Sequence, residues 1–408
     1  MVKGKGNELE PNWFSSRSPS APELLKSTAI YGANGSGKSN FVRAMEAMSD
    51  IVSHSATENK RGNSLPVEPF IFDSESIQNP TEFEVTFVSN SVKYQYGFSA
   101  NRERILEEWL FAFPKGSPQR WFIRAFDEEN NKYHWAFSDL LKGQKNLWKE
   151  STKQNSLFLS TAVMLNSEQL KVVYDWFDLN LRFGKPTGWE SEYSTSQCLN
   201  KNRKKAILEV LNGADLGIDD IEVERTEFDP SLLSDEIPDA LKNELIKELS
   251  GKTSERPKTV HRLPSGHTVS IDLDQESDGT RKFFGFAGPL IDTLLNGRIW
   301  FIDELQNSLH PALVEYIICL FNNPRSNTTN AQLVFTTHET SLLNQDIFRR
   351  DQIWFCEKSK ERETEIYPLT KFKPRKNIEN LEKAYLHGRY GAYPFVGQTP
   401  DFRGWVDG

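Results

Sequence analysis

Apolar runs at three points of the chain predict buried strands. Residues 28–31, 299–302 and 332–338 are dominated by apolar side chains, and runs this short are typical of strands in the middle of a sheet. After the first run, apolar residues recur at the spacing of one helix face, which predicts a helix over 39–48. A similar pattern over 283–295 predicts a second helix, which leads into the second strand.

Alternation of apolar and polar residues predicts antiparallel strands elsewhere. Residues 82–99 alternate on both sides of a polar turn, which indicates a hairpin. The alternation continues through 109–113 and 121–123, so we expect an antiparallel sheet layered on the core. Residues 260–262 and 267–273, separated by proline and glycine, predict a further hairpin.

Two other segments predict helices. The first is 155–183, whose candidate core positions are Leu165, Leu170, Val173 and Trp176. The second is 235–249. Within the first helix, Tyr174, Trp176 and Phe177 suit either base stacking on nucleic acid or a helix packing face, and packing is the commoner use.

The composition excludes several classes of protein. With 408 residues the chain can form one large domain or two modest ones. No run approaches the ~18–20 apolar residues of a membrane helix, and the N-terminal residues lack the apolar segment of a secretory signal. The cysteines Cys198, Cys319 and Cys356 form no C-x-x-C pair. We therefore expect a cytoplasmic protein without a membrane partner, a disulfide framework or a zinc site.

The charge disfavours a molecule devoted to nucleic acid. The net charge is −8, whereas a protein that wraps nucleic acid is usually basic. One local basic cluster leaves nucleic acid open as a partner, although such clusters are usually solvated helix faces. Its members are Lys201, Arg203, Lys204 and Lys205.

The first predicted strand leads directly into a phosphate-binding loop. Residues 32–39 read GANGSGKS, which matches G-x-x-x-x-G-K-[ST]. In such a loop backbone N–H groups surround the phosphates, Lys38 reaches the β- and γ-phosphates, and the Ser39 hydroxyl binds Mg²⁺. The strand before it and the helix after it make a chance Gly/Ser loop a poor alternative. The expected nucleotide-binding residues are Gly32, Ala33, Asn34, Gly35, Ser36, Gly37, Lys38, Ser39 and Asn40.

Two carboxylates end the second predicted strand. Asp303 is placed to hold Mg²⁺, as in a Walker B motif, and Glu304 is the candidate general base that orients the attacking water. An ordinary acidic turn is the alternative, but a phosphate loop in the same chain favours the catalytic interpretation. The predicted ligands are therefore ATP and Mg²⁺.

A histidine ends the third predicted strand. The imidazole of His338 would hydrogen-bond the γ-phosphate and so respond to its presence. A lone histidine after a strand is more often structural. Its place after the acidic strand favours the sensor role.

A second anion-binding segment precedes the acidic strand. Residues 276–281 read ESDGTR, and Ser277 and Gly279 stand at the start of a predicted helix, where backbone N–H groups attract anions. One chain does not readily bring two such segments to one nucleotide from opposite sides. Two chains arranged head to tail can do so.

Together these motifs resemble the ABC-class ATPase heads of transporter ATPases, SMC-type chromosome proteins, RecF and OLD-type defence ATPases. The set also includes SLHP at 308–311. More narrowly, residues 24–45, 155–166 and 383–395 resemble the bacterial RloA/AbiL-type ATPases of restriction and abortive-infection loci. The resemblance spans about 24–395.

The resemblance implies a fold, a mechanism and a partner. The implied fold is an α/β P-loop NTPase of the ABC-head type, with a central mixed or parallel sheet, an antiparallel layer and a helical insertion. We expect an N-terminal lobe over 1–130, the insertion over 131–265 and a C-terminal lobe over 266–408. Ser277 and Gly279 would act on the partner's nucleotide in a homodimer or larger oligomer. Such a Mg-dependent ATPase would be the sensor or switch for a co-encoded nuclease or toxin in phage defence.

Several features depart from the resemblance or leave alternatives open. Related heads begin with one or two strands, whereas the stretch before the phosphate loop reads as polar. No glutamine matches a Q-loop convincingly, because Gln78 lies in the expected zone but its neighbours read as a turn that enters a strand. A DNA-repair ATPase of the RecF or SMC type is the alternative function, although no sustained heptad pattern predicts long arms. A transporter subunit is a third. The turn at 388–391 suits either a docking element or a packed C-terminal cap.

Overall fold

The computed structural model describes residues 1–58, 60, 62–184, 190–227, 238, 241–242, 246–247, 253–307, 309–376 and 378–394. Its strands are β1 Trp13–Phe14, β2 Leu24–Leu25, β3 Ser27–Tyr31, β4 Thr81–Ser89, β5 Val92–Ala100, β6 Ile105–Phe113, β7 Gln119–Asp127, β8 Lys132–Phe137, β9 Leu181–Gly184, β10 Asp220–Glu227, β11 Thr253–Arg262, β12 Thr268–Asp272, β13 Ile299–Ile302, β14 Gln332–Thr337, β15 Ile353–Lys358 and β16 Thr364–Pro368. Its α-helices are α1 Lys38–His54, α2 Lys145–Ser151, α3 Phe158–Met164, α4 Glu168–Asp175, α5 Ser191–Cys198, α6 Lys201–Gly213, α7 Asp278–Asn296, α8 Pro311–Asn322 and α9 Leu381–Leu386.

A mixed, mainly parallel sheet forms the centre of the molecule. Its strand order is β16-β15-β3-β14-β13-β9, and neighbours pair in parallel except β15 and β16, which are antiparallel. The three strands predicted from apolar runs lie side by side as β3, β14 and β13. Parallel strands are covered on both faces, which explains their nearly continuous apolar sequences. The α/β fold class is confirmed.

Each face of the central sheet supports its own hydrophobic core. In β3, Ala29 and Tyr31 belong to one core and Ile30 to the other, as the two-residue period of a strand requires. The first core is completed by α6, α7 and α8. The second is completed by α1, α3, α4 and the antiparallel strands. The helix after the phosphate loop and the helix before the acidic strand therefore lie on opposite faces.

The predicted antiparallel layer is confirmed as a five-stranded sheet, β4 to β8 in sequential order. The hairpin between β4 and β5 turns at Asn90 and Ser91, whose φ angles are 48° and 62°. Positive φ at both turn residues suits the twist of a two-residue hairpin. The layer packs through Phe87, whose ring stacks on Trp176 with 4.0 Å between centroids. Trp176 and Phe177 are buried, which supports the packing interpretation for these two members of the aromatic set, whereas Tyr174 is half-buried.

The helical prediction for 155–183 is correct except at its end. Helices α3 and α4 and one π-helical turn, Trp176–Asn180, are followed by β9 rather than by more helix. The strand forms because pairing with β13 gives residues 181–184 backbone partners at the sheet edge. Of the predicted core positions, Leu165 is only half-buried. The other three, Leu170, Val173 and Trp176, are buried.

The remaining predictions have varied outcomes. The hairpin β11–β12 is confirmed, with β10 added as a third strand. The helix predicted at 235–249 lies mainly outside the described residues. The stretch before the phosphate loop is not merely polar, because β1 and β2 pair there. Near the other end Tyr390 is fully buried, which favours a packed cap over a docking turn.

The division into lobes at 1–130, 131–265 and 266–408 stays a prediction. The described part of the middle range contains α2 to α6, but also the strands β8 to β11. Helices and strands are therefore mixed in the segment predicted as a helical insertion. Among the described residues, no helix is both long and apolar enough to cross a membrane.

Candidate nucleotide site

Three strand ends bring the predicted site residues to one edge of the sheet. Strand β14 lies between β3 and β13, with Tyr31 beside Thr337 and Ile302 beside Phe335. Parallel strands in this register end together, so the phosphate loop, the acidic pair and His338 all begin at the same edge. The carboxyl edge of a parallel sheet is where α/β proteins usually bind ligands.

The phosphate loop turns tightly between β3 and α1. Gly35 and Gly37 have φ angles of 75° and 105°, which glycine adopts without strain. At Gly37 a Cβ atom would clash with Thr364 Oγ1. That hydroxyl donates to the Ser36 carbonyl over 2.9 Å. Thr364, the first residue of β16, therefore stabilises the loop from its outer side. Its close approach leaves no room for a side chain at position 37, which requires glycine there.

Lys38 is held inside this loop. Its Nζ donates to the carbonyl oxygens of Gly32 at 2.7 Å and Ala33 at 3.0 Å. An ammonium group has three N–H donors, so one remains for a phosphate oxygen. Burial lowers the pKa of Lys38, and nearby negative groups that include Glu304 and Asp303 oppose this shift. The lysine and the acidic pair are thus within electrostatic reach of one another.

One threonine hydroxyl connects the two acidic residues. Thr336 Oγ1 donates to Asp303 Oδ1 over 2.6 Å and accepts from the Glu304 backbone N–H over 2.8 Å. Thr336 is fully buried and Asp303 is 8% exposed. Because the hydroxyl has little room to rotate, it fixes both the Asp303 carboxylate and the first peptide of the following turn.

Glu304 begins that turn with an unusual backbone. Its φ is 54°, a left-handed value that few residues other than glycine adopt. This conformation ends β13 and leaves Glu304 half-buried at the sheet edge. Backbone outliers of this kind are concentrated at functional sites. A half-buried carboxylate here could both touch a water molecule and contribute to a closed site.

The His338 ring has a side-chain partner from the same turn. Gln306 Nε2 lies 3.2 Å from His338 Nδ1. An amide nitrogen donates only, so Nδ1 accepts and a neutral ring carries its proton on Nε2. His338 is exposed, and Nε2–H is then the donor available to an anion at the sheet edge.

The oxygen donors suit magnesium. Mg²⁺ prefers a few carboxylate or hydroxyl oxygens together with substrate phosphates and water. Ser39 lies in the first turn of α1 and is half-buried. Thr336 engages only one oxygen of Asp303. These two residues would hold Mg²⁺ against the phosphates and neutralise charge there, and their roles remain predictions.

Ser277 and Gly279 stand apart from this arrangement. Ser277 is the N-cap of the 19-residue helix α7, and its Oγ accepts from the Thr280 N–H at 3.1 Å. Both Ser277 and Gly279 are exposed. Their described contacts stay within the first turn of α7, and none reaches the phosphate loop of the same chain. Gln78 is likewise exposed.

Three residues of the site were not predicted from the sequence. Thr336 could have been found as a polar residue inside an apolar strand, two positions before His338. Gln306 had a weaker signal, its place just after the acidic pair. Thr364 had none, because its contact with the loop depends on how β16 pairs at the sheet edge.

Two members of the basic cluster pair closely with neighbouring carboxylates. Arg203 pairs with Asp292 at 3.2 Å and Lys204 with Asp220 at 2.7 Å. Lys205 lies 3.9 Å from Glu209. The pairing of Arg203 and Lys204 favours the solvated helix face over a nucleic-acid surface.

The fold and the site define a P-loop ATPase of the AAA/ABC type. A glycine-rich loop joins a central parallel strand to a helix, and a neighbouring strand ends in Asp303 and Glu304. More particularly, the chain belongs to the family described as "AAA domain, putative AbiEii toxin, Type IV TA system", whose model matches residues 27–344.

Solved structures with similar folds include two Smc heads and a recombination mediator. The Smc head bound to the C-winged helix domain of ScpA is 13% identical, with 85% of this chain and 91% of that chain covered and a TM-score of 0.30. The Pyrococcus furiosus Smc head with an extended coiled coil is 10% identical, with 86% of this chain and 92% of that chain covered and a TM-score of 0.33. The recombination mediator RecF with ATP is 13% identical, with 85% of this chain and 94% of that chain covered and a TM-score of 0.28. No curated protein matches the chain.

Proposed function

We propose that this protein is a Mg-dependent ATPase that works as a molecular switch. ATP bound by the phosphate loop of one protomer is closed over by Ser277 and Gly279 of a second. Hydrolysis then releases the pair. The observation that carries the proposal is the common edge of β3, β14 and β13, at which the phosphate loop with Lys38, the pair Asp303 and Glu304, and His338 follow the strands.

The arrangement supports a separate role for each of these residues. Lys38 and Mg²⁺, held by Ser39 and Asp303, neutralise the phosphate charge. Glu304 orients and deprotonates the attacking water. His338 donates from Nε2 to the γ-phosphate, and Gln306 keeps its ring in the required tautomer.

The placement of the second anion-binding segment supports action across a dimer. Ser277 and Gly279 are exposed at the start of a long helix, where N–H groups and the helix dipole attract anions. Their own contacts stay within that helix turn. A second copy of the chain, arranged head to tail, offers the triphosphate that this segment lacks within its own protomer.

We further propose that the switch controls a toxin or nuclease encoded nearby, in the cytoplasm of a bacterium that resists phage. Two features of the chain support this role. Its family description names a toxin of a type IV toxin–antitoxin system. Its residues 24–45, 155–166 and 383–395 resemble RloA/AbiL-type defence ATPases.

A lysine substitution tests the proposal at two levels. Lys38→Ala should abolish the ATP-dependent rise in melting temperature, because binding to the folded state is what stabilises it. In cells that carry the complete locus, the same substitution should abolish protection against phage in a plaque assay. Lys205→Ala, a change at an exposed lysine of α6, is the matched control and should preserve both.

The two readouts separate the two parts of the proposal. ATP stabilisation that survives Lys38→Ala would refute the nucleotide site. Lost ATP binding with unchanged phage protection would refute the defence role and leave the ATPase assignment intact.

A further inference from the structure

A large cavity lies beside the phosphate loop, on the side away from the acidic pair. Its volume is about 1050 Å³, ample for a nucleoside. One wall is an exposed face of α1 that begins at Asn40 and Arg43. The second wall comes from residues 66–81, and the third from the β15–β16 hairpin with Arg362 and Thr364. Thr364 also holds the phosphate loop, so cavity and loop are adjacent.

The strand order gives a bound triphosphate its direction. β3 lies between β14 on one side and β15 on the other. The γ-phosphate belongs on the β14 side, because Asp303, Glu304 and His338 follow β13 and β14. The phosphates pass around the start of α1, so the other end of the nucleotide leaves toward β15 and β16. The cavity lies on that side.

The cavity wall carries an aromatic ring with a cation against it. The Arg362 guanidinium lies 4.8 Å from the centroid of the Phe72 ring. Phe72 is 53% exposed and its neighbour Ile71 is 67% exposed. Large apolar side chains exposed together usually mark a binding surface. Phe70 supports the Phe72 ring edge-on, with 5.7 Å between the ring centroids.

We propose that Phe72 and Arg362 form the nucleobase site of the bound ATP, with the base stacked on the Phe72 ring and the guanidinium beside it. The inference rests on the proposed function and deepens it, since it assigns to the cavity the part of ATP that the phosphate loop does not touch. Stacking on an aromatic ring depends little on which base is present. The pair therefore adds affinity for nucleotides over inorganic phosphates, and it serves GTP and ATP alike.

Comparison of ATP with inorganic tripolyphosphate tests the assignment. Calorimetric titrations in the presence of Mg²⁺ would be made on the wild type and on Phe72→Ala, Arg362→Ala and Phe72→Trp. We expect Phe72→Ala to weaken ATP binding about 10-fold or more. Arg362→Ala should weaken it about 3-fold, and Phe72→Trp should retain it. Tripolyphosphate, which has no base, should bind all four proteins equally.

Leu140→Ala is the matched control, because Leu140 is similarly exposed, at 48%, and lies outside the cavity. It should bind both ligands like the wild type. Unchanged ATP affinity in Phe72→Ala would overturn the base site. Equal weakening of both ligands would overturn it too, because the phosphate loop itself would then be disturbed. A wild-type chain that binds neither ligand would refute the proposed function, and this site with it.

Discussion

The hydroxyl of Thr336 shows how much of the site depends on single atoms. It is the only described link between the Asp303 carboxylate and the backbone of Glu304. The left-handed φ of Glu304 then separates the two acidic residues by a sharp turn rather than by strand alternation. One residue can therefore hold a metal while the next faces water.

Replacement of the proposed base should uncouple ATP binding from hydrolysis. Glu304→Gln keeps the size of the side chain and removes its ability to accept a proton. We expect unchanged ATP affinity and a turnover lower by about 10²-fold or more, measured by phosphate release. The matched control is Glu339→Gln, which changes a nearby carboxylate outside the acidic pair. Gln306→Glu is unsuitable as a control because Gln306 contacts His338. Hydrolysis by Glu304→Gln at the wild-type rate would remove Glu304 from this role.

Sequence motifs predicted the charged residues of the site but not the residues that hold them. Lys38, Asp303 and His338 follow apolar strands, and that pattern is visible in the sequence. Thr364 is different, because its contact with the loop arises from pairing between strands far apart in the chain. No local pattern reports such a contact.

At the scale of elements, a buried ion pair attaches α3 to the antiparallel layer. Glu108 in β6 accepts from the backbone N–H groups of Phe158 and Leu159, at 2.7 Å and 2.9 Å, which begin α3. Arg124 in β7 donates to the Ser156 carbonyl at 2.7 Å. Both charged side chains are fully buried, and burial raises the pKa of Glu108 while Arg124 opposes the shift.

This junction reaches the helix that begins at the phosphate loop. Ser156 Oγ donates to the Ser55 carbonyl at 2.6 Å, and Ser160 Oγ donates to the Val52 carbonyl at 2.6 Å. The stretch at 155–166, which the sequence marks both as the start of a predicted helix and by resemblance, is therefore the contact between the antiparallel layer and the end of α1. Alternation and helical spacing predicted the elements on both sides but could not show that they meet here.

Removal of the buried carboxylate should be severely destabilising. Glu108→Ala leaves the Arg124 charge and two helix N–H groups without their partner, and the loss of one member of a buried pair costs about 3–5 kcal/mol. Glu108→Gln keeps one acceptor oxygen and should cost less. Glu107→Ala, at the exposed neighbouring position of the same strand, should change little. Urea unfolding midpoints would measure all three, and equal midpoints for Glu107→Ala and Glu108→Ala would contradict the structural role.

At the scale of the whole molecule, the residues predicted for the site lie at two separate positions. The phosphate loop, the acidic pair and His338 share one sheet edge, whereas Ser277 and Gly279 are exposed at the start of α7. The fold alone is consistent with this separation, because α7 packs on one face of the sheet and α1 on the other. The proposed function assigns this segment to the nucleotide of a second chain.

A mixture of two inactive chains should regain activity if the site is shared in this way. Ser277→Arg blocks the segment that closes over the partner's nucleotide, and Lys38→Ala empties the chain's own phosphate loop. In a mixed dimer the phosphate loop of the first variant meets the intact Ser277 of the second, so one of the two sites is whole. Random pairing of equal amounts should restore about a quarter of wild-type phosphate release, because half of the dimers are mixed and each has one working site. A mixture of Lys38→Ala with the double variant Lys38→Ala/Ser277→Arg contains no whole site and should stay inactive. Failure of the first mixture to exceed the second would show that Ser277 does not act on the neighbouring chain's nucleotide.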